Sequence, residues 1–219
     1  TYIAEADQAI FIGDGPAKES YLDAELILEK AIEVGAEAIH PGYGFLSENA
    51  AFARACVKNG IAFIGPTPEQ IEQFGLKHSA RQLAEEAQVP LLPGTHLIED
   101  VEEAIAASSM IGYPVILKST AGGGGIGMKV CEDEQALREA FEAVTHLAEK
   151  NFNNGGVFVE KYIACARHVE VQIFGTETEV VALGERDCSL QRRNQKVVEE
   201  TPAPLLKETV RAKMLEASV

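Results

Sequence analysis

Apolar positions along this chain alternate between helical and strand spacing, and the switches divide it. Residues 9–12 form a short apolar run ending at Gly13, which predicts a strand. Leu22, Leu26, Ile27, Ala31 and Val34 then repeat at helical spacing, with Gly35 placed to cap the end. Residues 38–40 predict a second strand, running into His40-Pro41-Gly42-Tyr43-Gly44-Phe45. Ser47 is placed to cap a helix through Asn59, closed by Gly60, and 61–64 predict a third strand stopped by Gly65-Pro66. Strand, helix, strand, helix, strand is the pattern of a parallel α/β unit, which binds ligands beyond the C-terminal ends of its strands. The 40–44 segment falls at such an end, where it reads equally well as a tight turn.

Thr67 with Gln70 three residues on predicts a capping box. Helices over 69–74 and 78–88 follow, with Lys77 between them. From residue 89 the pattern restarts. It predicts a helix over 101–109, strands over 113–118 and 128–131, a long helix over 135–152 capped by Asp133, a turn at 153–156 and a strand from Val157 to Val159 that ends in Glu160-Lys161-Tyr162-Ile163. In 168–174, His168, Glu170 and Gln172 share one face of a strand and Val169, Val171 and Ile173 the other. A hairpin turn over 175–179 and a returning strand over 180–183 complete it.

Composition adds limits. The chain has 219 residues, 46% of them hydrophobic, enough for a sizeable core in one large domain or two small ones. The net charge of −15 argues against nucleic acid as a partner. No long apolar run suggests a membrane partner, and four widely spaced cysteines without a C-x-x-C pair read as buried thiols in a reducing cytoplasm. Thr1 opens the chain within a domain pattern and Val219 ends it within a helical one, which predicts a piece of a longer protein.

One segment concentrates the chemistry. An apolar run delivers Lys118, and Gly122, Gly123, Gly124, Gly125 and Gly127 follow before Met128 opens the next run. Backbone N–H groups of such a loop can close around an anion, and the lysine adds a compact positive charge. The segment is not a Walker A loop, because its lysine precedes the glycines, nor a dinucleotide fingerprint, because no helix follows. A plain surface hairpin does not need five glycines, each of which costs folding entropy. Residues 185–200 mix both charge signs densely, and Arg192, Arg193 and Lys196 concentrate cations in an acidic chain. They read either as a solvated strand edge or as a second anion contact.

Lys118 with 122–128, Glu160-Lys161-Tyr162, Arg167-His168-Val169-Glu170, Glu185-Arg186-Asp187-Cys188-Ser189, Gln191-Arg192-Arg193 through Glu199, and the segment 40–49 together resemble the biotin carboxylases of the ATP-grasp superfamily, over about residues 7–204. Residues 74–81 and 121–127, with Ile126 in place, look most like the biotin carboxylase region of urea carboxylases, and Leu76, Ile126 and Asn194 stand where most biotin carboxylases carry Asp, Arg and His. The resemblance implies an α/β and α+β fold: a partial N-terminal parallel α/β domain (1–66), a helical linker (67–88), an ATP-grasp lid with the glycine flap (89–162), and the start of the C-terminal ATP-grasp sheet (163–219).

It also implies roles. Lys77 and Lys118 would hold nucleotide phosphates under the glycine flap, Gly122–Gly125 with Gly127 and Met128. Glu160, with backbone groups of Lys161 and Ile163, would meet the adenine. His168, Gln191 and Asn194 would lie near the ribose and phosphates. Lys196, with Arg193, would serve bicarbonate or the carboxyphosphate formed from it. The implied cofactors are ATP, Mg2+ or Mn2+, and biotin on a carrier domain, and the partners are bicarbonate, a carrier domain, a carboxyltransferase domain and a second copy of the chain. The family's metal-binding carboxylates would fall beyond Val219, so no metal ligand is expected within the chain. Urea as final acceptor, an acyl-CoA or pyruvate as acceptor, and a nucleotide-binding module without catalysis are the competing functions.

Overall fold

The computed structural model describes residues 2–120, 127–152, 156–176, 178–192 and 195–219. The expected sites Gly122, Gly123, Gly124, Gly125, Arg193 and Asn194, the departure Ile126, and most of the turn at 153–156 lie outside the described residues. The chain divides into two compact units, Thr1–Ala80 and Arg81–Val219.

In the first unit, a short helix α1 (Tyr2–Glu5) and a 3-10 turn (Ala17–Glu19) precede α2 (Ala24–Glu33). The side chain of Asp23 caps α2, accepting from Leu26 N–H at 2.9 Å. β1 (Ala38–Ile39), α3 (Ala50–Lys58) and β2 (Ala62–Phe63) form a strand–helix–strand unit in which β1 and β2 pair in parallel. Leu46, Phe52, Cys56 and Ile61 form its buried centre, flanked by Ile27, Leu28 and Phe63. In α4 (Pro68–Gly75) the expected capping box is present, with both Thr67–Gln70 bonds made.

Two expectations fail here. Residues 9–12 are not a strand: among the described residues β1 pairs only with β2, so the run has no ladder partner, and Phe11 is 70% exposed. The α3 cap is Asn49, not Ser47. Its side chain accepts from Phe52 N–H at 2.8 Å, while Ser47 belongs to the preceding turn, bonded to Gly44 O.

α5 (Lys77–Glu86) carries residues on both sides of the division, and Lys77 opens this helix rather than lying between two. In the second unit, α6 (Val101–Ile111) is capped by Asp100 and α7 (Glu134–Phe152) by Asp133, whose carboxylate accepts from Ala136 N–H at 2.9 Å. These helices cover an antiparallel sheet of order β4–β3–β5, made of β3 (Val115–Ser119), β4 (Met128–Cys131) and β5 (Val157–Lys161). Val115, Leu117 and Ser119 alternate inward on β3 and are fully buried, which turns Ile116 and Lys118 to the other face.

The rest is an antiparallel meander of β6 (Val169–Gly175), β7 (Val180–Arg192) and β8 (Gln195–Glu200), followed by α8 (Glu208–Ser218). β7 is much longer than the expected 180–183. Leu183 bulges out of the register between Gly184 and Ala182, and Gly184 takes φ +126°, so the strand continues beyond 183 through the bulge. Cys56, Cys131 and Cys188 are buried as expected, whereas Cys165 is exposed because it sits in the link between β5 and β6.

Leu117 is buried at the centre of the β4–β3–β5 sheet. Leu117→Ala should lower stability by about 2–5 kcal/mol in denaturant unfolding. A loss under about 0.5 kcal/mol, typical of a surface site, would contradict this core.

Candidate functional site

The β3–β5 register sets Lys118 opposite Phe158 and Ile116 opposite Glu160. Lys118 and Glu160 are therefore diagonal neighbours on the face turned away from the helices, within reach of long side chains. Their ammonium and carboxylate form an ion pair through Glu160 Oε2. The other oxygen, Oε1, accepts from Arg81 Nη1 at 3.0 Å. Arg81 also donates to Leu92 O at 2.8 Å, and its Nε lies 3.3 Å from Glu85. Its side chain is only 8% exposed. Gly94 makes room for it: a Cβ there would stand 2.9 Å from Val159 O and 3.0 Å from the Arg81 guanidinium.

Around this carboxylate, Met128 pairs with Lys118 across the β3–β4 hairpin, and Gly127, at φ +74°, accepts from Ser119 N–H at 2.8 Å. A Cβ on Gly127 would collide with the Ser119 side chain, so this position requires glycine both for its space and for its backbone angle. The Lys161 ammonium donates to Gly112 O and Tyr113 O at 2.8 and 3.0 Å, tying β5 to the end of α6. The ladder bonds Tyr162 N–H to Pro114 O and Thr120 N–H to Gly156 O turn the backbone of Lys161 away from β3, where its N–H is taken by Pro93 O at 2.8 Å. What remains for a ligand at Lys161 is an acceptor, the carbonyl. Ile163 follows β5 and is half-exposed.

A second cluster lies on the meander. Glu170 accepts from Arg186 at 2.6 Å and from Lys196 at 2.5 Å, and His168 Nε2 stands 3.3 Å from the same carboxylate. Gln191 Nε2 reaches both His168 Nδ1 and Cys188 O at 2.8 Å. A proton on His168 Nε2, facing Glu170, satisfies both ring nitrogens. Arg186 also holds Gln172 and Glu199, so the face expected for His168, Glu170 and Gln172 is one charged network. On the other face, Asp187 pairs with Arg167 at 2.6 Å and Glu185 with Arg211 at 2.7 Å. Of the dense charges over 185–200, Glu185, Arg186, Asp187, Lys196 and Glu199 thus have named partners, while the edge strand β8 is exposed along its length.

Burial pushes the Glu170 carboxyl up, but the hydrogen bonds and charges of Lys196 and Arg186 outweigh it and hold the group at about 2. Lys196 is raised by its hydrogen bond to Glu170, and burial pushes the Cys188 thiol up. Ligand atoms of Glu170, Cys188 and Glu199 come within 4.8 Å of one another. Glu170 and Glu199 are committed to cations and the thiol keeps its proton, so this set does not fit a metal ion.

Residues 77–219 match the family described as the carbamoyl-phosphate synthase L chain ATP-binding domain, and residues 1–71 match the biotin carboxylase N-terminal domain. The chain belongs to the biotin carboxylase family. It is 50% identical to urea amidolyase of Lachancea kluyveri over 218 residues, covering 99% of this chain and 12% of that one. It is 49% identical to biotin carboxylase of Halalkalibacterium halodurans over 220 residues, covering 49% of that protein. Among solved structures, the biotin carboxylase domain dimer of Hydrogenobacter thermophilus 2-oxoglutarate carboxylase, in complex with MgADP, ADP and bicarbonate, is 46% identical. It superposes with a TM-score of 0.87 over 99% of this chain and 48% of that one. The chain thus spans about half the length of the biotin carboxylases it matches and a smaller part of the amidolyase. The α/β and α+β fold expected for an ATP-grasp protein of this family is the one observed.

Lys118 and Glu160 are brought together, as are His168, Gln191 and Lys196. Arg81, Glu170 and Arg186 carry these clusters and were not expected as site residues. Arg81 reads as an ordinary cation on an acidic helix. Glu170 and Arg186 sit inside quoted motifs, and the period-2 spacing of Glu170 with His168 was the signal that could have found it.

Because Glu170 titrates near 2 when folded and near the ordinary 4.5 when unfolded, its contribution to stability is complete above about pH 4.5 and is lost as pH falls toward 2. Glu170→Gln should flatten part of the acid decline in unfolding free energy over that window. An identical pH profile for the variant would contradict the network.

Proposed function

We propose that this chain forms the nucleotide-gripping part of a biotin carboxylase of the urea carboxylase type. In that reaction ATP and bicarbonate give carboxyphosphate, whose carboxyl group passes to biotin on a carrier domain and, through a carboxyltransferase domain, to urea. The observation that carries the reading is Lys118: it stands on the sheet face turned from the core, at the root of the glycine-rich segment and opposite Met128. Phosphoryl transfer needs positioning and charge neutralisation more than covalent chemistry, and a lysine with backbone N–H groups supplies both.

The remaining roles follow from the chemistry each residue offers. Lys118 exchanges Glu160 for a phosphate oxygen. Glu160 and the Lys161 carbonyl are both acceptors, so together they suit the exocyclic amino group of adenine. The family resemblance assigns Lys77, at the start of α5, a phosphate contact, and assigns another to the segment of Gly122–Gly125, Gly127 and Met128. His168 and Gln191 orient each other beside the ribose and phosphates, with Asn194. Lys196, held in place by Glu170, offers its ammonium to bicarbonate, a role the family resemblance shares with Arg193. The urea assignment draws support from the 50% identity to the amidolyase and from the segments 74–81 and 121–127. A divalent metal would accompany the nucleotide. The carboxylates described here do not fit it, and no step is derived through it. The protein would act in the cytoplasm, in keeping with the lack, among the described residues, of a helix long and apolar enough to cross a membrane. A second copy of the chain is the expected partner in a dimer.

Calorimetric titration of the chain with Mg-ATP should show binding that Lys118→Ala weakens by roughly tenfold or more, as expected for loss of a charge-assisted phosphate contact. Unchanged affinity in a folded variant would overturn the role of Lys118.

A further inference from the structure

Arg81 and Glu185 are the buried charged residues among those described. Glu185 closes a local clamp, bonded to Arg211 at 2.7 Å and to Ala203 N–H at 3.2 Å. Arg81 differs, because its guanidinium ends on the carboxylate that Lys118 also holds. The two oxygens of Glu160 are divided between them: Oε1 belongs to Arg81 and Oε2 to Lys118. The two cations also differ in freedom. Arg81 is fixed by Leu92 O, flanked by Glu85 and packed against Gly94, whereas Lys118 extends on a single stem and is 23% exposed. The segment that carries these partners is itself fastened to β5: Gly94 bridges to Glu160, and Thr95 exchanges bonds with Val159 through its N–H (2.9 Å) and its hydroxyl (3.0 Å).

We propose that Arg81 is a positioning residue for base selection: it keeps Glu160 aimed at the base when Lys118 leaves for a phosphate. Oε2 then changes from a lysine partner into the acceptor for an exocyclic amino group. This rests on the nucleotide reading of the site. Without Arg81, Glu160 follows the lysine toward the phosphates, and the base loses its acceptor while the phosphates keep their cation. Adenine offers an amino group at this edge. Guanine offers a carbonyl, which an aimed carboxylate repels, so discrimination depends on the carboxylate staying in place.

The test measures Kd of the chain for ATP, GTP and inorganic tripolyphosphate, with circular dichroism and thermal melts as controls for folding. The wild-type chain should prefer ATP to GTP. Arg81→Met should shrink that preference by about tenfold or more and leave tripolyphosphate affinity within about threefold, a split that a general loss of structure would not produce. Arg81→Lys, which keeps the charge but not the fork, should fall between the two and serves if Arg81→Met does not fold. In a Glu160→Gln background, Arg81→Met should change the ratio by less than about twofold, because the arginine acts through Glu160. An ATP-to-GTP ratio untouched by Arg81→Met or Arg81→Lys, or an equal loss for all three ligands, overturns the proposal while leaving the nucleotide site standing. A wild-type chain that binds none of the three overturns the nucleotide reading and this proposal with it.

Discussion

A carboxylate shared by two cations organises the functional face of the β4–β3–β5 sheet. Glu160 is mostly out of water, and its two oxygens are taken by Arg81 from α5 and Lys118 from β3. The surrounding chain is shaped to keep both partners in place. Gly94 lacks a side chain where the guanidinium and Val159 O crowd in, and Lys161 fastens the end of β5 to the carbonyls after α6. Neither cation can be understood from its own strand or helix. Each is defined by the carboxylate between them.

The meander repeats the same solution with different residues. Glu170 gathers Arg186, Lys196 and His168 on one face, and the strand alternation sends Glu185 and Asp187 to partners on the other. Both clusters hold a partly exposed lysine against a glutamate, from which it can be released to an anion. For a member of the biotin carboxylase family, whose proposed substrates are a polyphosphate and bicarbonate, that is a useful resting state: the cations are aimed before the anions arrive.

Much of this was legible in the sequence where the signal was local. The Thr67–Gln70 box, the Asp133 cap and the β3–β4 hairpin follow from spacing and capping chemistry, and the structure repeats them nearly residue for residue. Ser47 and Asn49 are both good caps, and only the preceding turn decides between them. Residues 9–12 have strand composition, but a strand needs a ladder partner, which composition does not report. The strand expected over 180–183 runs on because Gly184 serves a bulge within it, which the apolar run alone does not report. The lysines and glycines of the site were visible because their chemistry is unusual for their positions. Arg81 was not, because its partner is 79 residues away and its own helix offers acidic neighbours that explain it locally.

The most direct test is a crystal structure of the chain with a non-hydrolysable ATP analogue. The account predicts Lys118 Nζ within about 3 Å of a phosphate oxygen and no longer on Glu160, with Arg81 still bonded to Oε1 and the base amino group on Oε2. An analogue bound with the Lys118–Glu160 pair unbroken, or bound away from β3 and β5, would contradict it.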